Sequence, residues 1–445
     1  MKKQKKIKYK GGIPEINAHA AGIDAGSMTH HIAIPDSEGG HDVYEFETFT
    51  EDLKRAVDLL ISKGITTVAI ESTGVYWLTF YLMLEEAGIE PFLVNAKHVK
   101  NVTGRKKDDT DAIWLQRLHS CGLLKKSFQP QSLTRQLRTL VRHRDSLIKS
   151  STEATQRMQK ALELMNIKVQ SVIRYLTGKT GLAVVQAILD GEREPEAFLK
   201  YKDPGIKCSD EQFKKSIDGF WSEDNLFLLK QEYAAYQFIR SQMAECDKVI
   251  CEQLMTQVAK VQDGDMSGLT VNWRKSVKKN ELQFKAEPLM HIIFGVNLCK
   301  IEGVGELTTL KILAEMGNDF SRWESSSCFA AWLNLSPNTE ITGGKIIKSK
   351  IQKKTNIAGQ GIRQAGSTVS RCRGPMGDHA RSLKKRLGKK SGSIAMSHKM
   401  SRIMYSMVTN QQEYDSDLIK KHNARNKEAK IKSLERKLAK LKRAS

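Results

Sequence analysis

Asp24, Glu71, Asp108 and Asp111 are the residues of this 445-residue chain whose type and spacing point most directly to chemistry. Asp24 closes an apolar run in Gly22-Ile-Asp-Ala-Gly26, and Glu71 closes another in Ala69-Ile-Glu-Ser-Thr-Gly74. Asp108 and Asp111 are one helical step apart, so both can face the same side. Asp109 competes with Asp108 for the third position, and the three-residue step to Asp111 favours Asp108. Clustered carboxylates repel one another, and bound cations remove that cost while keeping the acids ionised. Their hard oxygens suit Mg²⁺, with Mn²⁺ as a possible substitute. Two such ions about 3.5–4 Å apart can activate a nucleophile and stabilise a leaving oxygen in phosphodiester displacement. A single aspartate on a strand is more often a turn residue or ion-pair partner. Four acids at these stations support the metal reading.

A second group suits polyanion contact. Lys97, Lys100, Arg105, Lys106 and Lys107 lead directly into Asp108, as a phosphate track beside a metal site requires; the alternative is a solvated basic loop. Gly303-Val-Gly305 opens an amphipathic helix in the manner of a helix-hairpin-helix, where backbone N–H groups hold a phosphate. Tight helix–helix turns use the same pattern. Thr342 presents a hydroxyl before Gly343-Gly344 and Lys345, and Lys348, Lys350, Lys353 and Lys354 follow. Glycines let a backbone approach a substrate and a cation can stabilise an oxyanion, although a Thr-Gly-Gly turn is usually only a turn. His30 and His31 are adjacent on a strand, point to opposite faces, and are read as structural.

The elements that must position these residues follow from periodicity. Three strands in hairpin order, a helix over Thr50–Lys63, a strand Thr66–Glu71, a helix Gly74–Ala87, a strand Ile89–Asn95 and a helix Asp111–His119 give βββαβαβα. That order matches the RNase H-like fold, with its mixed sheet. From Ser132 the period becomes helical. Leu137, Val141, Leu147, Met158 and Leu162 form one stripe, and Leu229, Tyr236, Met243 and Ile250 another. They predict a coiled-coil hairpin or dimer arm, or else a compact bundle, with a small helical insert over Tyr175–Trp221. Asp263–Glu287 is polar and reads as a linker. The expected organisation is a catalytic sheet domain over 18–125, a helical segment with insert over 126–289, a C-terminal domain over 290–411 and a basic tail over 412–445.

Charge sharpens the choice of partner. Lys and Arg number 72 against 50 acids, a net charge of +22, which suits a nucleic acid and leaves a basic soluble protein or anionic-membrane binder as alternatives. The surplus is segregated: Thr342–Arg402 holds 16 Lys/Arg and one acid, Asp378. Seven scattered cysteines without a C-x-x-C pair suggest neither a zinc finger nor a disulfide framework, and read as reduced thiols in a cytosolic protein. No signal-peptide pattern or membrane-span length is seen, so no membrane partner is expected. The expected setting is cytoplasmic, in a prokaryote and associated with the nucleoid.

These segments together resemble the DEDD transposases of insertion-sequence family 110, particularly the 1111 branch. The resemblance runs from about Gly22 to Met407 and rests on GIDAGSMTHHIAI, AIESTGVYW, NAKHVKNVTGRKKDDTDAIWLQRLHSCGLL, LVRHRDSLI, QRMQKALELMNI, IEGVGELTTLKILAEMG and AAWLNLSPNTEITGGK. It implies a multidomain α/β-plus-α chain: an RNase H/RuvC-like domain, a helical coiled-coil segment and a mainly helical C-terminal transposase domain. It implies that Asp24, Glu71, Asp108 and Asp111 bind Mg²⁺. It further implies a structured non-coding guide (bridge) RNA encoded by the element, which pairs with donor and target DNA. The coiled coil is implied to join dimers into a tetrameric synaptic complex.

The family's nucleophile is a serine that forms a covalent phosphoserine, and it falls on Thr342, five residues after Pro337. Threonine keeps the hydroxyl but adds a methyl that crowds the phosphate and restricts χ1. Lys107-Asp108-Asp109 also stands where the family usually has Lys-Thr-Asp. An active threonine variant, a slower enzyme and a decayed copy are all compatible with these departures. The leading expectation is an RNA-guided, strand-exchanging DNA recombinase, with Thr342 meeting the carboxylates only in the assembled oligomer. The alternatives are a structure-specific nuclease of the Holliday-junction resolvase type, using the carboxylates and water, and a non-catalytic nucleic-acid-binding relative.

Overall fold

Small and β-branched residues dominate Ala20-Ala-Gly-Ile-Asp-Ala25 and Thr67-Val-Ala-Ile-Glu71, and both segments are strands buried on their two faces. In the computed structural model, residues 15–444 are described, apart from 73, 97, 98, 100–109, 279 and 353–355, and apart from the side chains of 426, 430 and 437–444. The chain divides into two units, Met1–Gln129 and Pro130–Ser445.

In the first unit, strands β1 (Ala20–Ala25), β2 (Thr29–Pro35), β3 (His41–Glu47), β4 (Thr67–Glu71) and β5 (Glu90–Val94) form one sheet in the order β3-β2-β1-β4-β5. β1, β2 and β3 pair antiparallel, whereas β4 runs parallel to β1 and to β5. Helices α1 (Thr50–Ser62) and α2 (Trp77–Glu86) cover one face over a core that includes Ile23, Ile70, Leu60 and Phe80. Helix α3 (Asp111–Ser120) covers the other, packing Trp114, Leu115 and Leu118 against Ala69 and Val94. A mixed five-stranded sheet with helices on both faces is the RNase H/RuvC-like architecture expected from the element order.

The second unit is mostly helical. α4 (Ser132–Leu164) and α7 (Glu223–Val261) pair over most of their length. Their direction is antiparallel, because Arg144 meets Asp247 while Arg157 meets Glu232. Leu229, Tyr236, Met243 and Ile250 recur every seven residues along this seam and are all buried. At its far end, α5 (Lys179–Leu189) and α6 (Asp210–Ile217) build a separate core with Phe198 and Phe213. At its near end, the helix pair shares one core with residues between Leu282 and Ile419.

That core gathers α8 (Glu287–Phe294), α9 (Glu306–Met316), α10 (Ser326–Trp332), α11 (Ile357–Thr368), α12 (Pro375–Leu387) and α13 (Lys389–Asn410). Phe320 and Phe329 stack at 4.8 Å in its aromatic centre. A hairpin of β6 (Asn338–Thr342) and β7 (Lys345–Lys350) stands out from it, and α14 (Ser416–Ala444) ends the unit. The polar stretch Asp263–Glu287, expected to be a linker, is instead partly tucked into the core: Leu282, Phe284 and Ala286 alternate inward and are buried. All seven cysteines are free thiols. No helix among the described residues is long and apolar enough to cross a membrane.

Candidate active site

The sheet register brings two of the acids level. β1 and β4 pair in parallel through Gly22↔Ala69 and Ile23↔Ile70, and one further step sets Asp24 beside Glu71. Residues level on neighbouring strands share a face, here the one carrying Gly22 and Ala69. α3 lies on that face and approaches closely because residue 22 has no side chain. A Cβ there would stand 2.2 Å from the Ala112 carbonyl oxygen and 2.3 Å from the Gln116 nitrogen.

The direction of α3 follows from its contacts. Gln116 Nε2 donates to the Ala20 carbonyl, whereas Ala112 lies over Gly22. The helix thus runs antiparallel to β1, and its first residue, Asp111, falls towards the strand end where Asp24 and Glu71 sit. Thr110 caps it, accepting from the Ile113 nitrogen at 3.3 Å. Asp24 and Glu71 are half-buried and Asp111 is exposed in the first helical turn, where the helix dipole favours a negative charge.

Three carboxylates drawn to one end of a sheet are oxygen donors of the kind a hard divalent cation takes. Among the described residues, no three His, Cys, Asp or Glu side chains stand close enough to hold a metal ion by themselves. The fourth acid, Asp108, lies outside the described residues, as do Lys97, Lys100, Arg105, Lys106 and Lys107.

The two histidines of β2 divide as their alternation requires. His30 is fully buried beside Phe80, ring centroids 5.6 Å apart, and burial lowers its pKa. His31 pairs with Asp24 across the β1–β2 ladder and so shares the face that carries the acids. Sequence alone gives His31 only a structural role, because its neighbour on the next strand is set by the hairpin register.

Thr342 is the last residue of β6 and pairs with Lys345. Gly343 and Gly344 between them have φ of +55° and +76°, as a two-residue hairpin turn of the primed type demands. A Cβ at either would meet no atom, so backbone conformation rather than space calls for glycine. Every residue of both strands is exposed, including Ile341, Ile346 and Ile347. Lys348 pairs with Glu340 at 2.9 Å, while Lys353 and Lys354 lie outside the described residues.

The glycine turn before α9 is asymmetric. Gly303, at φ +86°, lies against Val369, whereas a Cβ on Gly305 would enter open space. Glu306, the first residue of α9, receives Arg274 Nη2 at 2.5 Å.

Comparison with known proteins bears on both regions. A transposase family model of the IS110 DEDD type matches residues 21–167, which contain the sheet unit's acids and α4. The model of the transposase IS116/IS110/IS902 family matches residues 296–373, which contain α9, α10, the Thr342 hairpin and α11. Comparison with curated proteins gives no match.

Proposed function

The chain belongs to the IS110 family of transposases, and from that premise we propose that it exchanges DNA strands through a metal-assisted threonine nucleophile. One observation supports this most: the parallel β1–β4 register and the antiparallel α3 draw Asp24, Glu71 and Asp111 towards one end of the sheet. With Asp108, these acids would hold Mg²⁺ or Mn²⁺, which supplies charge stabilisation for phosphodiester displacement. Strand-end and helix-start positions hold Asp24, Glu71 and Asp111 on rigid elements. The Thr110 cap fixes the start of the helix that carries Asp111.

The nucleophile in this reading is the Thr342 hydroxyl, carried at the tip of an exposed hairpin where DNA has access. Its Oγ forms a bond to phosphorus as the bond to the leaving sugar oxygen breaks, and the hydroxyl proton passes to that leaving oxygen. Lys345, directly across the hairpin, supplies a cation for the phosphate oxygens. DNA is the partner that a transposase requires. A structured guide RNA and a dimer-to-tetramer assembly complete the proposal, and they rest on the family resemblance.

Trapping a covalent protein–DNA adduct tests it. Thr342→Ala is expected to abolish the adduct and Thr342→Ser to preserve or raise its yield. Thr342→Val should behave like alanine despite keeping the shape. Strand exchange at the original rate by Thr342→Val would make the hydroxyl irrelevant and move a water-using nuclease ahead.

A further inference from the structure

Helices α12, α13 and α14 enclose a cleft of about 1330 Å³. Lys385 and Arg386 line it from α12, Lys399 and Arg402 from α13, and Lys427 from α14. The carboxylate in its wall, Asp378, is already engaged by Arg381 at 2.5 Å. Among the described residues, none of the five cations is held in an ion pair. Arg402 Nε donates to Ser326 Oγ at 3.1 Å, which fixes its guanidinium on the wall.

Histidines lie among these cations. His379 and His422 meet edge to face with centroids 5.6 Å apart, and His379 Nδ1 stands 3.1 Å from Asn423 Oδ1. Burial, with Lys399 and Arg386 adding to it, lowers the His379 pKa to about 4. His398 is lowered by burial and by Arg402, and His422 first by Lys399. Among the described residues no carboxylate pairs with these cations, and with the histidines driven neutral the cleft carries a positive potential. None of the described lining residues belongs to the carboxylate set, the Gly303–Gly305 turn or the Thr342 hairpin.

We propose that this three-helix cleft seats the backbone of a DNA duplex, with Lys385, Arg386, Lys399, Arg402 and Lys427 on consecutive phosphates. A single phosphate would fill a small part of the space, whereas cations spread over three helices match a run of them. Among the described residues the lining holds no Phe, Tyr or Trp on which unstacked bases could lie, which favours a duplex over a single strand. The choice of DNA rests on the transposase reading above. Cations on phosphates orient the duplex without reading its sequence.

The test is fluorescence anisotropy of the full-length protein with a labelled random-sequence DNA duplex, and with an RNA duplex of matching sequence, across a salt series. Two variants are compared, Lys385→Gln/Arg386→Gln and Lys399→Gln/Arg402→Gln, and circular dichroism checks that each is folded. The first pair lies at the exposed end of α12 and guards against a folding defect in the second. Each pair should weaken DNA binding and lower the slope of log affinity against log salt by about 0.9 for every phosphate left without its cation. If both variants keep the full slope while the unmodified protein binds steeply, the cleft is not the seat and the transposase reading stands. A weakening confined to the RNA duplex would overturn the assignment to DNA. Salt-independent binding by the unmodified protein would overturn both.

Discussion

Arg144 and Asp247 are buried in the seam between α4 and α7, where charge is costly unless fully compensated. They pair side chain to side chain. Arg144 also donates to the Glu281 carbonyl at 2.8 Å, and Asp247 accepts from the Gln283 nitrogen at 3.0 Å. The pair thus sets the register of two long helices and ties residues 281–283 to them. Asp247→Ala should destabilise by about 3–5 kcal/mol, because it strands a buried guanidinium. Replacing both with apolar residues of similar volume, Arg144→Met with Asp247→Leu, should cost far less in a denaturant melt.

His119 is a second buried group with a measurable signature. Its Nε2 lies 2.9 Å from Thr67 Oγ1, its ring packs on Phe92, and burial lowers its pKa from 6.5 to about 4. The unfolded chain binds this proton as pH falls through 6.5, whereas the folded chain resists until about 4. Stability is therefore intact above that window and is lost as pH falls through it, by up to about 3 kcal/mol. Urea melts of His119→Gln between these limits should show a flatter pH dependence than the unmodified protein.

Among the elements, α3 does most to organise the acids, and its seat depends on Gly22. Gly22→Ala would force a methyl into helix backbone, so α3 must lift from β1 and carry Asp111 with it. A destabilisation of about 1–3 kcal/mol is expected from such overpacking. Strand exchange should fall further than the melt alone accounts for, when measured at a temperature where the variant remains folded. That dependence is not legible in the sequence, where Gly22 reads simply as the start of a strand. The strands and helices themselves are legible, since Thr67–Glu71 is a short apolar β-branched run and Leu53, Val57 and Leu60 recur at helical spacing. The stations of Asp24, Glu71 and Asp111 follow from those elements. The His31–Asp24 pairing required the hairpin register, which alternation alone leaves open by one residue. Asp263–Glu287 misleads for a different reason: its composition is polar, yet three alternating apolar residues and the hydrogen bonds from Arg144 and to Asp247 pin its end to the core.

At the scale of the whole molecule, the dominant feature is an uneven field. The net charge of +22 is concentrated in the second unit, and past Glu428 the chain has seven Lys/Arg against one acid, Glu435. This last stretch belongs to α14, whose Ile431 and Leu434 are exposed, while the start of the same helix is anchored through Ile419 in the shared core. Residues 431–436 of α14 are thus exposed and basic, and a cut after Glu428 leaves the Ile419 anchor in place. A chain ending at Glu428 should keep its melting temperature but bind DNA more weakly, with a shallower salt slope, by about 0.9 for each phosphate no longer neutralised. The weakening should be uniform across DNA sequences, because lysines on phosphates position a duplex and do not read it. Anisotropy with two duplexes of unrelated sequence, each over a salt series, checks both parts. A weakening confined to one sequence would show that the outer helix reads bases, and an unchanged slope would make its charge irrelevant to DNA.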